Sequence, residues 1–154
     1  MLDIELSNRQ TRHPVDAERL QAAVRLILAE EEFSHAEISL AVVDDPTMHE
    51  LNRRYLQHDY PTDVLSFVLS SGPHHVNGEV IVSADTAAAA CTQYGWQVAD
   101  ELLLYVIHGT LHLIGYDDRE PALAATMRER ERHFLSRFQL TPRYDEVDPA
   151  ATDR

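Results

Sequence analysis

Leu102-Leu103-Leu104-Tyr105-Val106-Ile107-His108-Gly109-Thr110-Leu111-His112-Leu113-Ile114 is the stretch that decides the fold. A helix drawn through it is apolar almost all round, leaving no face for water, so it must lie in the middle of its domain. The helix starts near Gln97, and Gly115 stands where it should end. Two histidines interrupt the apolar surface. Side chains four apart on a helix project from one face with Cβ atoms about 6 Å apart, near enough for two imidazoles to hold one ion with Zn–N bonds of ~2 Å. Gly115 can reverse the chain and bring the carboxylate of Asp117 or Asp118 back to the same ion. Three protein ligands leave one position open for water, the catalytic rather than the structural pattern for zinc. An H-x-x-x-H spacing alone arises easily by chance, and a lone buried histidine is more often a hydrogen-bonded core residue. Burying two imidazoles in so apolar a helix is costly without strong partners, and that tips the reading toward metal.

Outward from this helix the chain alternates strands and helices. Ile4 to Leu6 reads as a short strand and Val15 to Phe33 as an amphipathic helix, with Leu20, Ala23, Val24, Ile27 and Leu28 at helical spacing behind an Asp16 cap. Glu37 to Val43 alternates as a strand, after which Asp45-Pro46 supplies a cap and first-turn proline for a helix placing Met48, Leu51 and Tyr55 on one face. Val64 to Leu69 and Gly78 to Val82 read as a hairpin across the turn-rich Ser70-Ser71-Gly72-Pro73. Ala84 to Tyr94 is a helix stopped by Gly95. Pro121 opens the last helix, with Leu123, Met127, Phe134 and Phe138 as its apolar stripe and Arg128, Arg130, Arg132 and Arg137 on the remainder. The expected class is α/β: a single domain with a small mixed β-sheet of about four strands packed with helices, the histidine-bearing helix at its centre. Residues 1–140 form that domain, and 141–154 are expected to be a disordered acidic tail.

Composition narrows the function. The 154 residues carry a net charge of −13, from 13 basic and 26 acidic residues, which argues against broad electrostatic attraction to nucleic acid. Any RNA contact must be local. Every cation is an arginine, suited to bidentate phosphate recognition, and the absence of lysine excludes a G-x-x-x-x-G-K phosphate loop. Apolar stretches stop well short of the ~20 residues a spanning helix needs, so no membrane association is expected. Met1 to Asn8 has neither the basic start nor the apolar run of a secretory signal. Cys91 is a single cysteine, which fits a reducing cytoplasm.

His108, Gly109, Leu111, His112, Leu113, Gly115, Tyr116 and Asp117 match the motif H-G-x-L-H-L-x-G-Y-D-H. Pro61-Thr62-Asp63-Val64-Leu65-Ser66-Phe67 reproduces a second motif, preceded by Leu51-Asn52 and Tyr55, and Gly78-Glu79-Val80-Ile81 is similar to a G-D-I-x-I strand. Over residues 1–140 the chain thereby resembles the YbeY family of bacterial endoribonucleases, or rRNA maturation factors. The resemblance implies a cytoplasmic, zinc-bound, single-strand-type endoribonuclease acting in ribosomal RNA (16S 3′ end) maturation and ribosome quality control. Its partners would be ribosomal RNA and the ribosome or ribosome-associated proteins, with no DNA. It assigns one Zn2+ per chain to His108, His112 and Asp118, the last standing where the motif has a third histidine. An anionic third ligand makes the ion a weaker Lewis acid. A second departure is Leu56, where the family has an arginine; Arg53 and Arg54 are candidate RNA contacts in its place. Asp63 and Ser66 are candidates for positioning water or substrate, against the plainer roles of bracing a loop and satisfying backbone groups.

Two rival classes share the features. A zinc peptidase of metzincin type has the same ligand spacing, but it carries glutamate as general base directly after the first histidine, where this chain has Gly109. A non-catalytic, ribosome-associated module would use the metal only to staple its fold.

Overall fold

The computed structural model describes residues 1–58 and 62–142, so Pro61 of the second motif and nearly all of the expected tail lie outside the described residues. Four strands, β1 (Leu2–Asn8), β2 (His35–Val43), β3 (Val64–Gly72) and β4 (His75–Ser83), form one sheet in the order β1-β2-β4-β3. β1, β2 and β4 run parallel, while β3 returns antiparallel to β4 as the expected hairpin and forms an edge. Among the described residues five α-helices pack with the sheet: α1 (Ala17–Glu30), α2 (Asp45–Leu56), α3 (Ala84–Ala90), α4 (Val98–Leu113) and α5 (Pro121–Ser136). The class is α/β with a mixed sheet, as the sequence implied.

Period-two burial on β2 sends Ala36, Ile38, Leu40 and Val42 toward the layer of α1, α4 and α5, where the main core lies. On the opposite face α2 covers a smaller cluster of Val43, Met48, Leu65 and Ile81. Every residue from Glu101 to Leu111 is buried, so α4 is the central helix. Its first turn is closed by the Asp100 carboxylate, which accepts from the Gln97 backbone N–H at 3.0 Å. Among the described residues no helix is long and apolar enough to cross a membrane.

Several local expectations change. The cap of α2 is Asp44, whose carboxylate accepts from Thr47 N–H at 2.8 Å. Asp45 sits inside the helix and receives the Ser83 and Thr86 hydroxyls at 2.6 and 2.7 Å. Met48 and Asn52 are the buried residues of α2 and Leu51 packs against the same cluster, whereas Tyr55, edge-on to Phe67 of β3 at 5.8 Å, is 58% exposed. β3 continues through Ser70 and Ser71 to Gly72 past a bulge after Val68, so the turn is shorter than expected. The segment after Ser83 tightens from α3 into a 3₁₀ turn at Cys91–Tyr94 before Gly95 stops it at φ 67°. Leu123 is exposed, and Phe138 falls beyond the end of α5.

Candidate metal centre

The last two turns of α4 carry His108 and His112, with ring centroids 4.6 Å apart. After Ile114 the backbone turns through Gly115 at φ 107°, and Tyr116 N–H donates to Leu111 O at 3.0 Å, closing the helix end. A side chain at position 115 would be strained at that φ. The reversal brings Asp118 back, its Oδ2 lying 3.5 Å from His108 Nε2 and 3.6 Å from His112 Nε2. The two Nε2 atoms are 3.1 Å apart. Asp117 turns away, accepting from Arg119 Nε at 2.7 Å and from its backbone N–H at 3.1 Å. Of the two carboxylates open to the sequence reading, Asp118 is the one beside the histidines.

These three spacings fit a tetrahedral ion. Ligand bonds of ~2.0–2.1 Å at tetrahedral angles separate donor atoms by about 3.3 Å, and 3.1, 3.5 and 3.6 Å bracket that value. The distal ring nitrogens agree. Tyr116 O, a carbonyl that can only accept, takes the hydrogen of His112 Nδ1 at 3.0 Å. His108 Nδ1 donates to Glu131 Oε2 at 2.6 Å, and both residues are buried. With hydrogens on both Nδ1 atoms, two Nε2 lone pairs face the same point, which is the orientation an ion needs. Burial disfavours a charged His108, but the hydrogen bond and negative field of Glu131, joined by Asp63 and Asp118, outweigh it and raise its pKa. His112 is shifted downward, first by burial and then by the field of His108.

The family model described as Endoribonuclease YbeY matches residues 5–139. The chain belongs to the YbeY family. It is 40% identical over 141 residues to the Endoribonuclease YbeY of Salinibacter ruber, covering 84% of this chain and 90% of that one. Against the Endoribonuclease YbeY of Syntrophotalea carbinolica it is 36% identical over 143 residues, covering 88% and 95%. The solution structure of TM1509 from Thermotoga maritima shares the fold, with a TM-score of 0.59 at 22% identity, covering 90% of this chain and 92% of that chain.

In this YbeY chain the histidines open onto a cleft of about 290 Å³ walled by α2 and β3. Leu56, Asp63, Ser66 and Val68 line it beside His108 and His112. The Ser66 hydroxyl is committed to Gly109 O at 3.0 Å, tying β3 to α4. Asp63 braces the start of β3 by accepting from Val64 N–H at 2.8 Å while its carboxylate lines the cleft. Arg53 and Arg54 turn back to Glu50, and neither lines the cleft. A Cβ on Gly109 would stand 2.5 Å from Val80 Cγ1 and 3.0 Å from Ser66 Oγ, so this position faces the sheet and has no room for the glutamate of a peptidase. Sequence reading passed over Glu131. Its signal was a carboxylate at the inward position between Met127 and Phe134, the one fully buried charge of the helix.

Proposed function

We propose that this chain is a zinc-dependent endoribonuclease acting on ribosomal RNA in the cytoplasm, with one ion held by His108, His112 and Asp118. The observation that carries this reading is the convergence of three donor atoms at tetrahedral spacing, two of them on histidines that line a cleft, in a chain of an endoribonuclease family. When bound, zinc supplies a Lewis acid for a phosphodiester oxygen and lowers the pKa of a coordinated water toward ~7. The protein's own work is positional. In their neutral forms His108 and His112 would present Nε2 lone pairs to the ion, because their Nδ1 hydrogens are held from behind. Asp118 brings the negative charge that partly offsets the ion. To Asp63, which lines the same cleft, we assign the uptake of a proton from an attacking water. Ser66 holds the two walls together through Gly109.

The test is cleavage of a structured ribosomal RNA fragment containing a 16S 3′ end, with zinc supplied and then chelated. Activity should follow the metal. Undiminished cleavage after chelation would overturn the metal-dependent reading, and bound zinc with bound but uncut RNA would make the chain a metal-stapled scaffold.

A further inference from the structure

The mechanism above leaves Glu131 without a part, although it is the most deeply buried carboxylate near the site. It is 1% exposed, on α5, and receives the Nδ1 hydrogen of His108 at 2.6 Å. A carboxylate so buried would be costly to keep unless its partners are strong. We propose that Glu131 is the positioning residue of the metal centre, fixing His108 with Nδ1 protonated and Nε2 free, and that α5 is thereby part of the centre rather than a cover over the core. The inference rests on the metal-binding reading of His108, His112 and Asp118.

The geometry gives α5 a second, indirect hold. Arg130, the neighbour of Glu131, donates to Glu31 Oε2 at 2.8 Å, and the Tyr116 hydroxyl donates to Glu31 Oε1 at 2.5 Å. The carbonyl of that same Tyr116 receives the Nδ1 hydrogen of His112. Glu131 therefore acts on one ligand directly, while Arg130 reaches the other through Glu31 at the end of α1 and the turn after α4. Arg130 thus ties α5 to the residue whose carbonyl holds His112.

Glu131→Gln isolates the role because it keeps volume and shape. A carboxylate only accepts, so it admits one orientation of the imidazole hydrogen. An amide can present its NH₂ to Nδ1 instead, which moves the ring hydrogen to Nε2 and blocks the lone pair meant for the ion. Zinc affinity, measured by competition with a chelating dye, should fall 10- to 100-fold, the loss usual for a partner behind a histidine ligand. In ¹⁵N spectra of the zinc-loaded wild type, His108 should show a protonated Nδ1 and a coordinated Nε2. Amide exchange in α5 should slow when zinc is added to the wild type, and slow much less in the variant. An unchanged affinity in a folded Glu131→Gln protein overturns the role of Glu131 and leaves the metal site standing. Coordination through Nδ1 in the wild type overturns it whether or not the variant folds. A wild type that binds no zinc removes both readings together.

Discussion

The two walls of the cleft are built on different principles. The α4 wall carries His108, His112 and Asp118 within eleven residues of sequence, placed by helix spacing and one glycine turn. The wall of α2 and β3 carries Leu56, Asp63 and Ser66, and it meets the first only because the edge strand of the sheet packs against α4. The first wall keeps three groups that could hold a metal ion despite its aspartate. On the second, Leu56 stands where the resemblance leads one to expect an arginine, and among the described residues no arginine lines the cleft. Ion binding and substrate binding can therefore fail separately in this molecule, and substitutions can separate them.

The largest expected effect is on the metal wall. His112→Ala should reduce zinc from about one ion per chain to nearly none, because two remaining ligands rarely hold it. Elemental analysis of both proteins measures this directly, and equal zinc contents would show that His112 is not a ligand. Second comes the contact between the walls. Gly109→Ala places a methyl 2.5 Å from Val80 Cγ1 and 3.0 Å from Val64 Cγ2, both on stiff β-branched side chains. Overpacking of this kind costs about 1–3 kcal/mol. A thermal midpoint equal to that of the wild type would mean that α4 and the sheet are not held at this distance.

How much of this was legible follows the same division. Histidines at i and i+4, Gly115 and the acids after it are local features, and the buried helix announced itself by leaving no polar face. Ser66 was identified as near the site but not as the tie to Gly109, because that contact joins residues 43 apart and depends on which strand forms the edge. Glu131 was hidden by its own neighbours, since arginines at 128, 130 and 132 made the helix look solvated. Only the packing of α5 against α4 shows that the fully buried charge faces His108. Tyr55 failed in part: its spacing was right and its ring meets Phe67 of β3 edge-on at 5.8 Å, but the side chain stays 58% exposed.

A pH series sharpens the comparison within the metal wall. His112 has its pKa below the ordinary 6.5, so in the zinc-free protein its contribution makes stability rise as pH climbs toward that value. His108 has its pKa above 6.5, so its contribution is fully present below that value and is lost as pH rises through the raised pKa. These two groups acting alone would make the chelated protein most stable between the windows. Zinc binding requires both rings neutral, so its added stabilisation should grow with pH through the His108 window instead. Denaturant midpoints measured across pH, with and without zinc, check the crossing trends. Parallel curves would mean that the two histidines do not titrate against the ion.

The smallest expected effect is on the substrate wall, where Leu56→Arg tests whether a missing cation limits the enzyme. Leu56 is the last residue of α2, which Gln57 ends in a left-handed cap at φ 58°, and its side chain is 43% exposed at the cleft. An arginine there replaces apolar surface already wet, so the fold should tolerate it. Arg53 and Arg54 do not stand in, being turned along the helix to Glu50. A guanidinium reaching a substrate phosphate makes a charge-assisted contact of ~1.5–3 kcal/mol. The lower end of that range corresponds to roughly tenfold in rate. Cleavage of a ribosomal RNA fragment should accelerate by about that factor in the variant, with zinc content unchanged, and chelation should stop both proteins. Faster cleavage at equal zinc would show that the α4 wall is already competent and only phosphate binding is weak. An unchanged rate, with RNA bound equally by both proteins, would move the limitation to the anionic third ligand, and Asp118→His would then be the substitution that restores it.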